Sequence, residues 1–312
     1  MHHLPSRKLI SIIGTGKLGT AVALQTAQRE LADLRLIDVI QGLPQGEALD
    51  LGQMIAEQGT DLDILGSNDY KDIAGSDLVV VIGGLGRKPG MTRLDLQEKN
   101  EVIIRSICEK ITEHAPKTLV LMVTNPLDIM TYLAWKVTGF EPGRVFGQSG
   151  MLDTLRFKYF IAKALGVSTA SIHAVVIGEH GDSMVPLPRF STVNGVPITD
   201  LLSPSQVSDA IERTRKTAAE IIALKGATIF APAHGITRMV ESVIKDKKMV
   251  LCLTAHLAGE YGLQDVYVDV PAVLGARGVE RVVELRLNPD ERAAFMKSVE
   301  VVKAACSHLK TV

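Results

Sequence analysis

Residues 12–23 read IIGTGKLGTAVA and close the apolar run KLISII (8–13). Gly14, Gly16 and Gly19 form G-x-G-x-x-G, a weak pattern alone but a specific one where it follows a strand and opens a helix. Gly14 allows the tight turn, Gly16 lets the backbone approach a pyrophosphate, and Gly19 permits close helix–strand packing. The phosphates would lie at the positive helix end, against Thr15, Lys17 and Leu18. Asp38, 19 residues past Gly19, ends the next apolar run. A carboxylate there accepts both ribose hydroxyls of an adenosine and repels a 2′-phosphate, which favours NAD over NADP. A structural turn with a capping Asp is the plainer alternative. A P-loop does not fit, because its first glycine position is Ser11.

Outward from this motif, LRLID (34–38), DLVVVI (77–82) and TLVLMV (118–123) read as strands buried on both faces, with amphipathic helices over 17–30, 44–58 and 94–114. Strand, helix, strand at this spacing implies a parallel sheet with right-handed crossovers. A further strand is expected at 144–147, after which the rhythm changes. A helix over 151–166 ends at Gly166, IHAVVIG (172–178) reads as a strand, and helices cover 205–226 and 232–247, with Pro232 starting the second. Residues 266–286 alternate like an antiparallel sheet and 289–309 close the chain as a helix. The expected fold is α/β: a Rossmann-type doubly wound parallel sheet over 1–147, followed by an α+β substrate domain over 148–312, with a cleft between them.

The 312 residues carry a net charge of −1 with no block of one sign, so neither nucleic acid nor a membrane surface is an expected partner. No signal peptide or membrane span is read. Cys108, Cys252 and Cys306 lack metal-like or paired spacing, which fits a reducing, cytoplasmic setting. No cysteine cluster or HExxH points to a metal.

GEHGDSMVP (178–186) places His180 between glycines just past a strand. Such a histidine gains a catalytic case if a carboxylate fixes its tautomer and stabilises the imidazolium. Asp153 is a candidate, and Arg156, three residues later, shares its helix face. One helix could aim a carboxylate at His180 and a guanidinium into the cleft; a surface ion pair fits the spacing equally well. GRKPGMTR (86–93) follows the third of these strands at the carboxyl edge of the sheet, where ligands bind in such folds. Pro89 and Gly90 mark a turn within a loop that could move as a lid. Asn125, in VTNPLD (123–128), offers an amide on the same edge.

At these residues the chain resembles the malate/lactate dehydrogenase family, on the side of its lactate-dehydrogenase-like malate dehydrogenases. The motifs GTGKLG, LIDVIQGLPQGEALDL, RKPGMTR, VTNPLD, LDTLRF, GEHGDSMVPL and VPAVLGARGVERVVEL occur in the family's order across nearly the whole chain. The resemblance implies reversible hydride transfer between (S)-malate and oxaloacetate, a place in the tricarboxylic acid cycle, and NAD as cofactor. It makes His180 the acid/base and Asp153 its orienting partner, with Arg156 gripping the C1 carboxylate in a bidentate pair that a lysine would not reproduce. Arg93 would polarise the carbonyl and Asn125 would hold the substrate oxygen and a cofactor ribose. Asn100, Asp38, Val123 and Thr124 complete the implied cofactor contacts. Arg87 would read the substrate's second carboxylate, at the position where lactate dehydrogenases carry glutamine. It further implies a homodimer or homotetramer.

Two positions depart from the family pattern. GGLG (83–86) lacks the proline that many relatives carry before the specificity arginine, and Thr228 stands where the pocket wall of malate enzymes is often smaller. The alternatives are an L-lactate or broader 2-hydroxy-acid dehydrogenase, and a non-catalytic NAD-binding regulatory protein. The complete acid–base set argues against the latter. A short-chain dehydrogenase lacks support: YFIAK (159–163) has the Tyr-x-x-x-Lys spacing, but it reads as core packing on the Arg156 helix.

Overall fold

The computed structural model describes residues 7–86 and 91–310. The first half alternates strands and helices: β1 (Leu9–Ile13), α1 (Lys17–Gln28), β2 (Asp33–Ile37), α2 (Leu43–Glu57), β3 (Ile64–Ser67), β4 (Leu78–Val81), α3 (Arg93–His114), β5 (Leu119–Met122), α4 (Leu127–Thr138) and β6 (Val145–Gly147). These six strands run parallel in the order β6-β5-β4-β1-β2-β3, so the direction of winding reverses between β1 and β4. The glycine-rich loop after β1 therefore lies at the crevice where such sheets bind ligands. β4, LVVV, is wholly buried, as a parallel strand covered by helices on both faces must be. Truncating one large side chain of this core, such as Leu36, to alanine would cost about 2–5 kcal/mol through the cavity it leaves.

The second half contains α5 (Gly150–Leu165), β7 (Ile172–His173), β8 (Val176–Ile177), β9 (Val185–Pro186), β10 (Thr192–Val193), β11 (Val196–Pro197), α6 (Pro204–Lys225), α7 (Phe230–Ile244), β12 (Met249–Ala258), β13 (Gln264–Gly275), β14 (Gly278–Val282) and α8 (Pro289–Cys306). The antiparallel strands β12, β13 and β14 do not make a separate sheet. β12 pairs with β6 at Thr254 and Gly147, so among the described residues they extend the parallel sheet to nine strands.

Several expectations are corrected. α4, β3 and β12 have no counterpart among the elements read from the sequence, and β12 is the strand that joins the two halves. IHAVVIG is not one strand: β7 pairs with β10 and β8 with β9, because the Val175 N–H between them is taken by the Ser191 hydroxyl at 3.1 Å. α7 starts at Phe230, so Pro232 is its third residue rather than its first. Tyr159 is half exposed beside Lys163 rather than packed in the core.

Candidate active site

His180 follows β8 on a loop whose entry is fixed by Gly178. That glycine has a φ of +93°, and a side-chain carbon there would lie 2.6 Å from the Ser298 hydroxyl. Gly178 and Asp269 of β13 exchange both backbone hydrogen bonds, at 2.9 and 3.1 Å, pinning the loop to the large sheet. The His180 N–H donates to Asp128 at 2.8 Å. Its ring Nδ1 lies 2.7 Å from Asp153 Oδ2, and Arg156 Nη1 donates to the other oxygen of Asp153 at 2.9 Å. Asp153 and Arg156 occupy the first two turns of α5, one above the other, as the i,i+3 spacing requires.

Asp153 is fully buried and the His180 side chain is 16% exposed. Burial by itself holds an imidazole neutral. The Asp153 carboxylate overrides this through its charge and hydrogen bond, Asp269 adds to it and Arg156 opposes it, and His180 is pushed up to about 9. The couple is thus a strong base aimed by a buried acid. The Nε of Arg156 is buried without a hydrogen-bond partner among the described residues, as is the Nε2 of Gln148. An unpaired buried guanidinium donor is costly.

The cleft in front of these groups has a volume of about 500 Å³. Leu18, Arg93, Val123, Thr124, Asn125, Arg156, His180 and Thr228 all line it. Arg93, the first residue of α3, is tied to Glu179 at 2.8 Å and Asp182 at 2.7 Å. Asn100 is fully buried: its amide donates to the Leu85 and Asn125 carbonyls at 3.1 and 2.6 Å and accepts from the Leu85 N–H at 2.8 Å. It clamps the loops after β4 and β5 together instead of facing the cleft. Arg87 and the Pro89–Gly90 turn lie outside the described residues.

The glycine loop fits a dinucleotide. A side-chain carbon on Gly16 would meet no protein atom within 4 Å, whereas one on Gly19 would sit 1.9 Å from the Gly14 carbonyl. Gly16 caps α1 without a side-chain hydrogen bond, and no acidic residue occupies the first turn, so its backbone donors suit an anion. Asp38 accepts from the Thr15 N–H at 2.8 Å and the Ile40 N–H at 3.0 Å, one on each oxygen. Oδ2 also accepts from the Thr15 hydroxyl at 3.3 Å, so Oδ1 is the oxygen that keeps a lone pair for a ribose hydroxyl.

Sequence reasoning missed Glu179 and Asp182, which hold Arg93, and Asp128 and Asp269, which lie behind His180. Asp269 had a signal: it is an acid in the otherwise apolar run VYVDVPAVLG of a buried strand.

A dinucleotide loop feeding a cleft lined by a buried imidazole–carboxylate couple and an arginine held by the same carboxylate defines a dinucleotide-dependent 2-hydroxy-acid dehydrogenase. The match to known proteins is more specific. Residues 8–147 match the NAD-binding domain of lactate/malate dehydrogenases, and residues 150–311 match their α/β C-terminal domain. The chain belongs to the lactate/malate dehydrogenase family. It is 48% identical to the malate dehydrogenase of Roseiflexus sp. (strain RS-1) over 98% of this chain and all of that protein. Its structure resembles the malate dehydrogenase of Cryptosporidium parvum with a TM-score of 0.95 at 38% identity, covering 98% of this chain and 100% of that one. It also resembles the lactate dehydrogenase of the same organism, solved with lactic acid and β-nicotinamide adenine dinucleotide, with a TM-score of 0.95 at 35% identity, covering 99% and 100%.

Proposed function

We propose that this chain interconverts (S)-malate and oxaloacetate as a malate dehydrogenase, using NAD rather than NADP. The observation that carries the reading is the arrangement of His180, Asp153 and Arg156, with Arg156 and His180 both lining the cleft. Arg156 grips the C1 carboxylate, its Asp153-bound nitrogen fixing the plane in which the remaining donors face the ligand. His180 takes the hydroxyl proton of malate and returns it to oxaloacetate, while Asp153 holds the imidazole in the required tautomer. NAD, when bound against the glycine loop and Asp38, would supply the hydride chemistry. Asn125 steadies the substrate oxygen and the cofactor ribose, and Asp38 selects against a 2′-phosphate. Asn100, by clamping the loops that carry Leu85 and Asn125, supports the cofactor wall. Arg93 exchanges Glu179 and Asp182 for the developing negative charge on the carbonyl oxygen.

Arg87 reads the far carboxylate of oxaloacetate. Pyruvate leaves that guanidinium without a partner, a mismatch of several kcal/mol, or on the order of 10³-fold in discrimination. The reading also divides the chain at about residue 147, where the two family matches meet, and takes the enzyme as a cytoplasmic homodimer or homotetramer of the tricarboxylic acid cycle. Lactate oxidation is the second reading, favoured by Thr228 in the cleft wall. NADH oxidation with oxaloacetate and pyruvate, in wild type and Arg87→Gln, separates them. The wild type should prefer oxaloacetate by orders of magnitude and the variant should lose that preference. Equal or better use of pyruvate by the wild type overturns the malate assignment.

A further inference from the structure

Behind His180, four buried oxygens stand closer together than their protons allow if both nearby carboxyls are ionised. Asp128, in the first turn of α4, and Asp269 of β13 are both buried and are joined through Thr254 of β12. The Thr254 hydroxyl lies 2.9 Å from Asp269 Oδ1 and 3.2 Å from Asp128 Oδ1. Ser149, at the head of α5, stands 2.5 Å from the Thr254 hydroxyl and donates to Asp269 Oδ1. Four contacts thus share two hydroxyl protons. Oxygens at such distances attract only with a proton between them, so two ionised carboxylates would leave lone pairs facing each other in a dry interior. A third proton, on Asp128 Oδ1, covers three of the four contacts and leaves only the Ser149–Thr254 approach without one: Asp128 donates to Thr254, and Thr254 and Ser149 donate to Asp269. Asp128 keeps its other oxygen to accept the His180 N–H.

We propose that Asp128 and Asp269 form a buried acid couple holding one proton at neutral pH, which leaves Asp269 as a second carboxylate behind the imidazole and a positioning residue for proton transfer by His180. One ligand atom each of Asp269, Asp153 and His180 lies within 4.8 Å of the others, so this charge acts at short range. Burial raises both carboxyls, with repulsion from Asp269 adding to it at Asp128 and repulsion from Asp153 at Asp269. The charged and titratable groups around the imidazole are Asp153 and Arg156 from α5, Asp128 from α4, Asp269 from β13 and Glu179 beside it in the loop, with Arg93 of α3 and Asp182 paired beyond Glu179. The thiols of Cys252, next to Asp269, and of Cys306, facing Asp128, are pushed up to about 11 and about 12 by burial and stay neutral.

The role in proton transfer rests on the malate dehydrogenase reading; the shared proton does not. Asp269→Asn keeps the shape and removes the charge. The pH at which kcat/KM for malate falls on the acid side should move down by about half to one unit, with KM little changed and the alkaline plateau within about five-fold. An acid limb that superimposes on the wild type, or a uniform loss at all pH with the limb unmoved, overturns the positioning role. Infrared spectra of wild-type protein labelled with ¹³C-aspartate test the proton without a variant. A carboxylic-acid C=O band at neutral pH is expected, and its absence overturns the couple. A wild type inactive with malate and oxaloacetate refutes the functional reading alone and leaves the infrared band to decide the couple.

Discussion

Replacing Asp153 by asparagine removes the one carboxylate that both His180 and Arg156 use. The distance from the ordinary imidazole value of 6.5 to about 9 corresponds to about 3 kcal/mol favouring the charged ring. Asparagine offers a neutral oxygen in the same place, while burial, the largest influence on the ring, and the Arg156 charge still act against protonation and outweigh what Asp269 adds. His180 in Asp153→Asn should therefore titrate at or below 6.5. At pH 8 the wild-type ring is about nine-tenths protonated and the variant ring a few per cent, so oxaloacetate reduction loses roughly 30-fold from protonation alone. With the weaker orientation of the ring added, the loss in kcat/KM should reach about 10²–10³-fold in both directions. Histidine NMR titration, with the resonance assigned by His180→Asn, gives the midpoint, and NADH absorbance gives the turnover. Stability carries the same sign. The folded-state value is raised, so the His180 contribution is complete below 6.5 and is lost as pH climbs through about 9. The gap in thermal midpoint between wild type and variant should narrow by several degrees from pH 6 to pH 10. A midpoint that stays near 9 in the variant, or turnover within ten-fold of wild type, refutes the argument.

Two glycines of the first loop should respond in opposite ways. Gly16→Ala adds a carbon that meets no protein atom within 4 Å, so the melting temperature should hold within about 2 °C while the NADH dissociation constant rises at least about ten-fold. Gly19→Ala sets its carbon 1.9 Å from the Gly14 carbonyl and should lower the melting temperature as well as NADH binding. Unchanged NADH affinity in Gly16→Ala would show that no ligand approaches that backbone. Arg156→Lys keeps one charge but loses the planar fork and should reduce kcat/KM for oxaloacetate by about 10²–10³-fold with NADH binding intact. A loss under five-fold would mean that Arg156 does not grip the substrate.

Local signals explain why the parallel half is legible in the sequence. β1, β2, β4 and β5 are continuous apolar runs because helices cover both faces of the sheet, and the glycine motif marks the turn between β1 and α1. α4 buries Leu127, Ile129, Met130, Leu133 and Ala134, and only the VTNPLD turn that starts it is read from the sequence. β3 is four residues long and contains Gly66, which packs against the α2 backbone at Pro44. β12, MVLCLTAHLA, is an apolar run that periodicity alone does not assign to strand or helix.

The site divides along similar lines. Asp153 and Arg156 share a face of one helix, so their proximity follows from spacing; the glycines around His180 single it out, and the resemblance supplies its role as acid/base. The other carboxylates belong to partnerships that only the folded chain creates. Arg93 meets Glu179 across 86 residues, and Thr254 meets Asp128 across 126. An acid in a sequence is read as solvated until something shows that water is excluded from it, and for Asp269 that something is Ser149 and Thr254 closing over its carboxyl. The apolar residues on either side of Asp269 announce its burial, but they do not announce its partners. Those partners decide whether it is a liability or a charge held ready behind an imidazole. Burial raises the energy of an ionised carboxylate, and two donated hydroxyls lower it again. The same residue with hydrophobic neighbours would simply have stayed protonated, and His180 would have lost one of the charges that make it a base.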